Sequence, residues 1–480
     1  MSRPLFRRPT SLRPATLGDL RSSGWESHPV KEELRRNLVE RIRAGEQLFP
    51  SVHGYETTVI PQLENALLAG HDVIFLGERG QAKTRLIRGL TGLLDEWIPT
   101  VAGSEINDDP YNPVSRQARD LVAEMGDATP LQWIHRDTRY GEKLATPDTS
   151  IADLIGEVDP IRVAEGRYLS DELTLHYGLV PRTNRGLFAI NELPDLAERI
   201  QVGLLNVLEE RDVQIRGYKI RLPLDVVLFA SANPEDYTNR GRIITPLKDR
   251  FGSQIRTHYP LDPETEMDIV HQEATVPTVA DLEVRAPAFM ARVIAVLSHQ
   301  ARQSPHLNQR SGVSVRLSVT NQEAMVANAV RRALRSEELV AVPRVSDLEA
   351  LVAATSGKVE VESLDEDQDA EVVDRILRSA VLEVFRDLVP SELHRPIVDA
   401  FEEHEGVSTG EDIGSAAYVH LVSEEIPALK PAVDALLDGE ASTGPAMMAS
   451  AVELVLEGLH LSKRLNKHAS GGRAHYAARN

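Results

Sequence analysis

One stretch, "DVIFLGERGQAKTRLIRGLTGLL" (72–94), constrains the fold more than any other part of this sequence. It begins with a short apolar run, which predicts a buried strand, and it ends in a helical pattern. The loop between them, from Gly77 to Thr84, almost matches the phosphate-binding pattern G-x-x-x-x-G-K-[ST], with Ala82 in place of its second glycine. Because the motif requires this strand–loop–helix context, the stretch predicts an α/β nucleotide-binding domain.

The loop residues have distinct expected roles. Backbone N–H groups of the turn and of the helix N-terminus point at the phosphates of a nucleotide. Lys83 is expected to reach the β- and γ-phosphates, and the hydroxyl of Thr84 to bind Mg²⁺. Alanine at position 82 adds one methyl group, which we expect to be acceptable if the residue keeps a negative φ. The predicted nucleotide-binding residues of the loop are Gly77, Glu78, Arg79, Gly80, Gln81, Ala82, Lys83, Thr84 and Arg85.

Length and composition narrow the class of protein. A chain of 480 residues exceeds one typical core, so two or three domains are expected. There are no cysteines, which excludes disulfides and thiol catalysis. No apolar run approaches the roughly 18 residues needed to cross a bilayer, and the N-terminus lacks the apolar region of a secretory signal, so a cytoplasmic location is expected.

Charge argues against one class of partner. The net charge of -20 repels phosphate backbones, which makes non-specific binding of nucleic acid unlikely. Both ends are nevertheless basic, over 1–43 and 462–480. They could be arms that touch an acidic partner or a neighbouring subunit, but solvated disordered tails are the simpler interpretation.

The order of patterns along the chain predicts its domains. Buried strands are predicted at 72–77, 186–191 and 225–233, with a helix at 197–211, which indicates a parallel sheet flanked by helices. After Pro263 the patterns are helical. We therefore predict a basic N-terminal arm and helix (1–45), a nucleotide-binding core (46–260), a small all-helical domain (261–363) and a helical C-terminal extension (364–480).

Polar residues follow the second and third of these strands. In phosphate-loop enzymes an acid after the second strand holds Mg²⁺, often through water, and a following glutamate orients the attacking water. Glu192 suits the second role, whereas Asn191 replaces the acid with an amide and brings no negative charge. Weaker retention of Mg²⁺ or slower turnover is therefore expected. Asn233, at the end of the next strand, is expected near the γ-phosphate.

Four arginines are candidates for two roles at the nucleotide. Arg250 closes the core, where an arginine of a ring-forming ATPase reaches the nucleotide of the neighbouring subunit. Arg240 and Arg242 compete for that role, and a surface salt bridge is the alternative for each. Arg316 lies at the first predicted turn of a helix in the second domain, where it could couple nucleotide state to domain position.

The chain resembles AAA+ ATPases, and within them the MoxR and magnesium-chelatase subunit I group. The resemblance lies in the order and approximate spacing of Lys83, Asn191-Glu192, Asn233, Arg250 and Arg316. The resemblance covers roughly 46–360. It implies a core of five parallel strands flanked by helices, an insert in the second helix (155–178), a β-hairpin before sensor 1 ("DVQIRGYKIRLPL", 212–224), a helical lid, and a C-terminal extension outside the family pattern. It also makes Val52 and His53 candidates for contact with adenine.

The same resemblance implies function. ATP and Mg²⁺ are the implied cofactors, and a homo-oligomer, in the form of a hexameric ring, is the implied assembly. A protein with a von Willebrand factor A domain is the implied partner, and chaperone-like remodelling or insertion of a metal or cofactor the output.

Three other functions compete with this interpretation. One is the ATPase subunit of a magnesium chelatase. Another is a nucleotide-dependent scaffold that hydrolyses ATP weakly because of Asn191. A transcription activator is disfavoured, since the GAFTGA loop of that class is absent. Metal binding by histidine is also disfavoured, because no pair has H-E-x-x-H spacing.

Overall fold

The computed structural model describes residues 13–158, 172–209, 212–214, 221–233, 241–307, 312–356, 358–359, 367–440 and 443–479. The chain divides into two compact units, Met1–His258 and Tyr259–Asn480. Within the described ranges, no helix combines the length and the apolar character that a membrane crossing needs.

The first unit is built on a parallel sheet. The strands of this unit are β1 (Val73–Leu76), β2 (Trp97–Val101), β3 (Leu131–His135), β4 (Tyr140–Leu144), β5 (Gly156–Val158), β6 (Leu175–Tyr177), β7 (Gly186–Asn191), β8 (Asp212–Gln214), β9 (Arg221–Pro223), β10 (Val226–Ala232) and β11 (Ser253–Arg256). Five of them form one sheet in the order β11-β1-β10-β7-β4, and all its pairs are parallel. This confirms the predicted five-stranded core.

Helices cover both faces of this sheet. They are α1 (Leu17–Ser22), α2 (Val30–Ala44), α3 (Val59–Leu68), α4 (Lys83–Gly89), α5 (Arg116–Met125), α6 (Ile151–Leu154), α7 (Leu179–Arg182), α8 (Glu198–Glu209) and α9 (Thr245–Arg250). Leu63 of α3 packs in one core with Phe75 and Phe229, whereas Leu204 of α8 packs in another with Phe188. Every residue of β7 and β10 is buried, which explains why their sequences are mostly apolar on both faces.

The N-terminal segment is part of this unit. The Arg13 guanidinium lies over the rings of Trp97 and Trp133, 4.6 and 4.9 Å from their centroids. Leu17 and Leu20 are fully buried. The interpretation of this region as a solvated tail is therefore wrong from residue 13 onward, because cation–π contacts and apolar burial hold the segment against the antiparallel pair of β2 and β3.

The two predicted insertions each contain an antiparallel pair. In the helix-2 insert, β5 pairs with β6 through Gly156 and Tyr177, and residues 159–171 lie outside the described residues. In the predicted hairpin, β8 pairs with β9 through Asp212 and Pro223, and residues 215–220 lie outside them as well. The β-hairpin before β10 is thus confirmed.

The second unit is mainly helical. Its helices are α10 (Pro263–Glu273), α11 (Ala288–Gln303), α12 (Val315–Arg335), α13 (Leu351–Ser356), α14 (Asp367–Leu388), α15 (His394–Glu402), α16 (Ser415–His420), α17 (Lys430–Leu437) and α18 (Pro445–Leu461). One apolar core contains residues from Phe289 to Tyr476, so the segments predicted as a lid and as an extension share it. Almost every residue of α18 between Ala446 and Leu459 is buried.

Short strands in this unit were not predicted. They are β12 (Glu283–Val284), β13 (Val340–Ala341), β14 (Val407–Gly410), β15 (Leu465–Ser470) and β16 (Arg473–Ala478). The last three form an antiparallel sheet in the order β14-β16-β15. The interpretation of the basic C-terminus as a solvated tail is wrong for this hairpin. Gly471 and Gly472 have φ of +60° and +77° and form its two-residue turn, while Leu465 and Tyr476 are buried.

Candidate functional site

The loop after β1 has the shape of a phosphate cradle. A Cβ at Gly77 would lie 1.9 Å from Oγ1 of Thr257 and 2.2 Å from Oε1 of Gln81, so only glycine fits there. Oε1 of Gln81 accepts hydrogen bonds from the backbone N–H of Glu78, at 3.0 Å, and from the hydroxyl of Thr257, at 2.7 Å. These contacts fix the loop from within the protein.

Ala82 differs from expectation. Its φ is +54°, in the left-handed region, so the expected negative φ is wrong. The chain must turn sharply at this residue because helix α4 begins at Lys83 directly after it. A non-glycine residue in this region costs about 1–2 kcal/mol. The loop therefore carries backbone strain of the kind found at functional sites.

Lys83 connects two of the predicted catalytic residues. Its buried ammonium donates to the carbonyl oxygens of Gly77 and Glu78, the latter at 2.7 Å, and to Oδ1 of Asn233 at 2.8 Å. Nδ2 of Asn233 in turn donates to Oε2 of Glu192 at 2.7 Å. The structure thus brings Lys83, Asn233 and Glu192 into one chain of hydrogen bonds.

Asn191 and Thr84 lie beside that chain. The hydroxyls of Thr84 and Ser231 both donate to Oδ1 of Asn191, at 3.5 and 3.1 Å. The hydroxyl of Ser231 also accepts from the backbone N–H of Glu192 at 3.3 Å, and Glu192 has a left-handed φ of +55°. Hydroxyl and amide oxygens therefore converge where the sequence predicts Mg²⁺.

Glu142 was missed by the sequence analysis. Its carboxylate accepts from Nδ2 of Asn191 at 2.5 Å, from Nε and Nη2 of Arg88 at 2.8 and 3.0 Å, and from the hydroxyl of Tyr140 at 3.0 Å. Burial raises the pKa of Glu142, but the hydrogen bonds from Arg88 and Tyr140 outweigh it, so this pKa lies below its usual range. The polar strand "YGEKL" gave no signal of this role.

The segment before β1 that contains Val52 and His53 contacts the phosphate loop through the residues on either side, Ser51 and Tyr55. The hydroxyl of Tyr55, also missed, lies 2.9 Å from the carbonyl oxygen of Gln81, and Arg85 donates to the carbonyl oxygen of Ser51 at 3.1 Å. Val52 is buried in the apolar core and His53 is half-buried. Their contact with adenine stays a prediction.

The three arginine candidates of the first unit differ in what the structure shows. Arg250 is exposed at the end of α9, 3.4 Å from a carboxylate oxygen of Asp249. Arg242 is also exposed, and Arg240 lies outside the described residues.

Arg316 belongs to the second unit, where it is exposed in the first turn of α12, as predicted. Its backbone N–H donates to the hydroxyl of Ser314 at 3.2 Å.

The donor set fits a triphosphate with Mg²⁺. Gly77 is a position that a Cβ would fill, and the ammonium of Lys83 supplies three N–H donors for phosphate oxygens. The hydroxyl of Thr84 and the amide oxygen of Asn191 are hard oxygen ligands of the kind that Mg²⁺ prefers, directly or through water.

Curated relatives match this chain along about half of its length. No protein-family model matches it. The magnesium-chelatase subunit ChlI of Nostoc sp. (strain PCC 7120) is 28% identical over 252 residues, which is 51% of this chain and 61% of the relative. The magnesium-chelatase 38 kDa subunit of Rhodobacter capsulatus is 28% identical over 240 residues, 47% and 60% respectively. The chain thus spans about 60% of the length of these relatives.

Solved structures also match, with low similarity. One describes the complex between subunits BchI and BchD of magnesium chelatase, at 21% identity, with coverage of 67% of this chain and 98% of that one, and a TM-score of 0.36. Another is the Thermotoga maritima RuvB Holliday junction branch migration motor, at 11% identity, 90% and 95% coverage, and a TM-score of 0.32. At such TM-scores the likeness carries no argument. The sequence relatives are sufficient to confirm the predicted relationship: this chain is a homologue of the magnesium-chelatase I subunits of the AAA+ group.

Proposed function

We propose that this protein binds MgATP at the loop 77–85 and hydrolyses it. The observation that carries the proposal is the hydrogen-bonded chain from Lys83 through Asn233 to Glu192. A phosphate-binding cation and a carboxylate are held at the two ends of one amide. This is the arrangement that hydrolysis of a terminal phosphate needs, because one group stabilises negative charge while the other directs water.

Each residue of the site has a part in this reaction. The ammonium of Lys83 can leave its carbonyl acceptors for phosphate oxygens, and the strained loop offers its N–H groups to the same ligand. Thr84 and Asn191 would hold Mg²⁺, which neutralises charge on the phosphates. Glu192 accepts a proton from the attacking water, and its bond from Asn233 keeps the carboxylate oriented.

We further propose that the protein works as a hexameric ring in the cytoplasm. The exposed position of Arg250 at the end of α9 supports donation to the nucleotide of a neighbouring copy. Such arginines are worth about 10³–10⁵ in rate in the best-studied GTPases. Arg316, exposed at the start of α12, is the candidate for sensing nucleotide from the second unit.

Two outputs are proposed for the hydrolysis. The first is chaperone-like remodelling, or insertion of a metal or cofactor, together with a protein that carries a von Willebrand factor A domain. The second is a magnesium-chelatase ATPase subunit, which the names of the sequence relatives favour. A third candidate function is a nucleotide-dependent scaffold that hydrolyses ATP only weakly, since Asn191 lacks the negative charge of the usual acid.

The test of hydrolysis uses the full chain and two variants. Wild type should bind ATP and release phosphate, Glu192→Gln should bind ATP without releasing phosphate, and Lys83→Ala should bind it weakly. Phosphate release by both variants at the wild-type rate would overturn the proposal. A wild type that binds ATP but releases almost no phosphate would favour the scaffold.

The test of the ring uses complementation. Arg250→Ala and Glu192→Gln should each be inactive alone. A mixture should recover activity, because a site with an intact Glu192 can then receive Arg250 from its neighbour. Failure to recover, or a monomer at full activity with MgATP in sedimentation experiments, would contradict an arginine that acts between subunits.

A further inference from the structure

We propose that Glu142 is a positioning residue of this site, which orients the amide of Asn191 and supplies the negative charge that Asn191 lacks. The inference rests on the proposed function, because it concerns Mg²⁺ bound with ATP. It assigns a role to a residue outside the phosphate loop and outside the strand end that carries Asn191 and Glu192.

Strand pairing places the two side chains together. β4 and β7 are parallel neighbours, and Leu144 is the register partner of Asn191. Glu142 lies two residues before Leu144, so its side chain is on the same face of the sheet. The result is the contact of 2.5 Å between Oε1 of Glu142 and Nδ2 of Asn191.

The chemistry of the two groups determines which way the amide points. An ionised carboxylate can only accept hydrogen bonds, so Asn191 must turn its N–H₂ toward Glu142. Its oxygen then faces the hydroxyls of Thr84 and Ser231, both of which can donate to it. The opposite orientation would set an amide oxygen against a carboxylate oxygen. Glu142 therefore directs an oxygen ligand toward the predicted Mg²⁺ position.

The carboxylate of Glu142 also supplies the negative charge that Asn191 lacks, one hydrogen bond away from the predicted metal ligand. In a site with an aspartate after β7, the charge would sit on the ligand itself, whereas here it sits on the group hydrogen-bonded to the ligand. Outer partners of this kind raise the basicity of the ligand they contact. Arg88 pairs with the same carboxylate, but its side chain is 62% exposed. In α4, Arg88 lies one helical turn after Thr84.

The experiment measures ATP binding by the full chain as a function of Mg²⁺, with binding in EDTA as the baseline. Glu142→Gln should raise the Mg²⁺ concentration for half-maximal effect by about tenfold or more, as expected when a carboxylate that hydrogen-bonds to a metal ligand is lost. Arg88→Gln is the matched control. It breaks the salt bridge of Glu142 but leaves the carboxylate on Asn191, so its Mg²⁺ requirement should stay within about threefold of wild type.

A charge exchange gives the second arm. Asn191→Asp alone should not raise the Mg²⁺ requirement, because it adds negative charge at the predicted ligand itself. The double variant Asn191→Asp with Glu142→Gln should return to within about threefold of wild type, since one carboxylate and one amide are again paired. This rescue would not occur if Glu142 only stabilised the fold.

The outcomes separate this inference from the proposed function. If wild type binds ATP and Glu142→Gln keeps the wild-type Mg²⁺ requirement, the positioning role is wrong and the proposed function stands. If Arg88→Gln reproduces the effect of Glu142→Gln, or the double variant is not rescued, the role is only structural and the inference is again wrong. Absence of ATP binding by wild type would overturn both.

Discussion

Nζ of Lys83 lies 2.8 Å from Oδ1 of Asn233, and the other end of the same amide donates to Glu192. One short side chain therefore connects the proposed phosphate-binding cation with the proposed catalytic carboxylate. Asn233 can do so because it follows β10 directly, between the strands that end at the loop and at Glu192.

Replacement of this connection should affect catalysis more than binding. In Asn233→Ala, Glu192 loses an orienting donor, and we expect kcat for phosphate release to fall by about 10²–10³, as for loss of one preorganised donor. The affinity for ATP should change by less than about tenfold, because Lys83 remains. Steady-state phosphate release and equilibrium binding check the two values. A large loss of affinity with kcat unchanged would contradict this role.

Strain at Ala82 gives a prediction for stability. Ala82→Gly should raise the free energy of unfolding by up to about 1 kcal/mol, because relief of a left-handed alanine outweighs the added freedom of the unfolded chain. Urea unfolding followed by tryptophan fluorescence reports this unit, since Trp25, Trp97 and Trp133 are the three tryptophans of the chain.

Gly24 offers the matched reverse change. Its φ is +71°, and a Cβ there would meet nothing within 4 Å. Gly24→Ala should lower the free energy of unfolding by about 1 kcal/mol or less through backbone strain alone. A destabilised Ala82→Gly variant would show that the methyl group of Ala82 makes contacts worth more than the strain.

A buried ion pair should hold the N-terminal helix to the core. Arg139 donates to both carboxylate oxygens of Glu33 at 2.7 and 2.6 Å, and both side chains are almost fully buried. Glu33→Ala should therefore lower the free energy of unfolding by about 3–5 kcal/mol, since it leaves a buried charge without its partner. The same urea experiment measures it.

An exposed pair provides the comparison. Arg21 pairs with Asp127, with side chains 58% and 68% exposed. Asp127→Asn should lower the free energy of unfolding by less than about 1 kcal/mol, because water screens the interaction. Equal losses for the two pairs would contradict the importance of burial at Glu33.

The second unit should lose stability in acid through Glu338. Burial raises the pKa of this carboxyl, but hydrogen bonds from Ser415 and the charges of Arg344 and Arg332 outweigh it, so the pKa lies below its usual range. A lowered pKa stabilises the folded state above the ordinary value, and the contribution disappears as the pH falls through the folded pKa.

The difference in unfolding free energy between wild type and Glu338→Gln should therefore be constant near neutral pH and should shrink below about pH 4.5. Urea unfolding followed by far-UV circular dichroism at several pH values measures it. Glu349→Gln, at an exposed glutamate of the same unit, should change stability by less than about 0.5 kcal/mol. A difference that grows toward acid would contradict the sign.

Much of the site was predictable because its residues follow buried strands. Residues 187–190 and 226–230 are continuously apolar since both faces of the sheet are covered, and these runs mark where Asn191 and Asn233 lie. The role of Glu142 was not predictable, because it depends on β4 pairing beside β7. Strand order is a tertiary property that local patterns do not contain.

Two other misses have different physical reasons. The left-handed φ of Ala82 arises from the sharp entry into α4, where loop geometry overrides the preference of the residue. The C-terminal hairpin did carry a local signal, since Gly471-Gly472 is a favoured two-residue turn. Its basic composition concealed that signal, because charge alone suggested a tail.

The shared core of the second unit limits how the chain can be divided. Leu297 of α11 and Met325 of α12 are packed with Val455 of α18, although the last residue is far along the sequence and outside the family pattern. A protein truncated at residue 363 would expose these apolar side chains to water and should aggregate. Residues 364–480 must therefore be kept together with the helices before them in any fragment that is to fold.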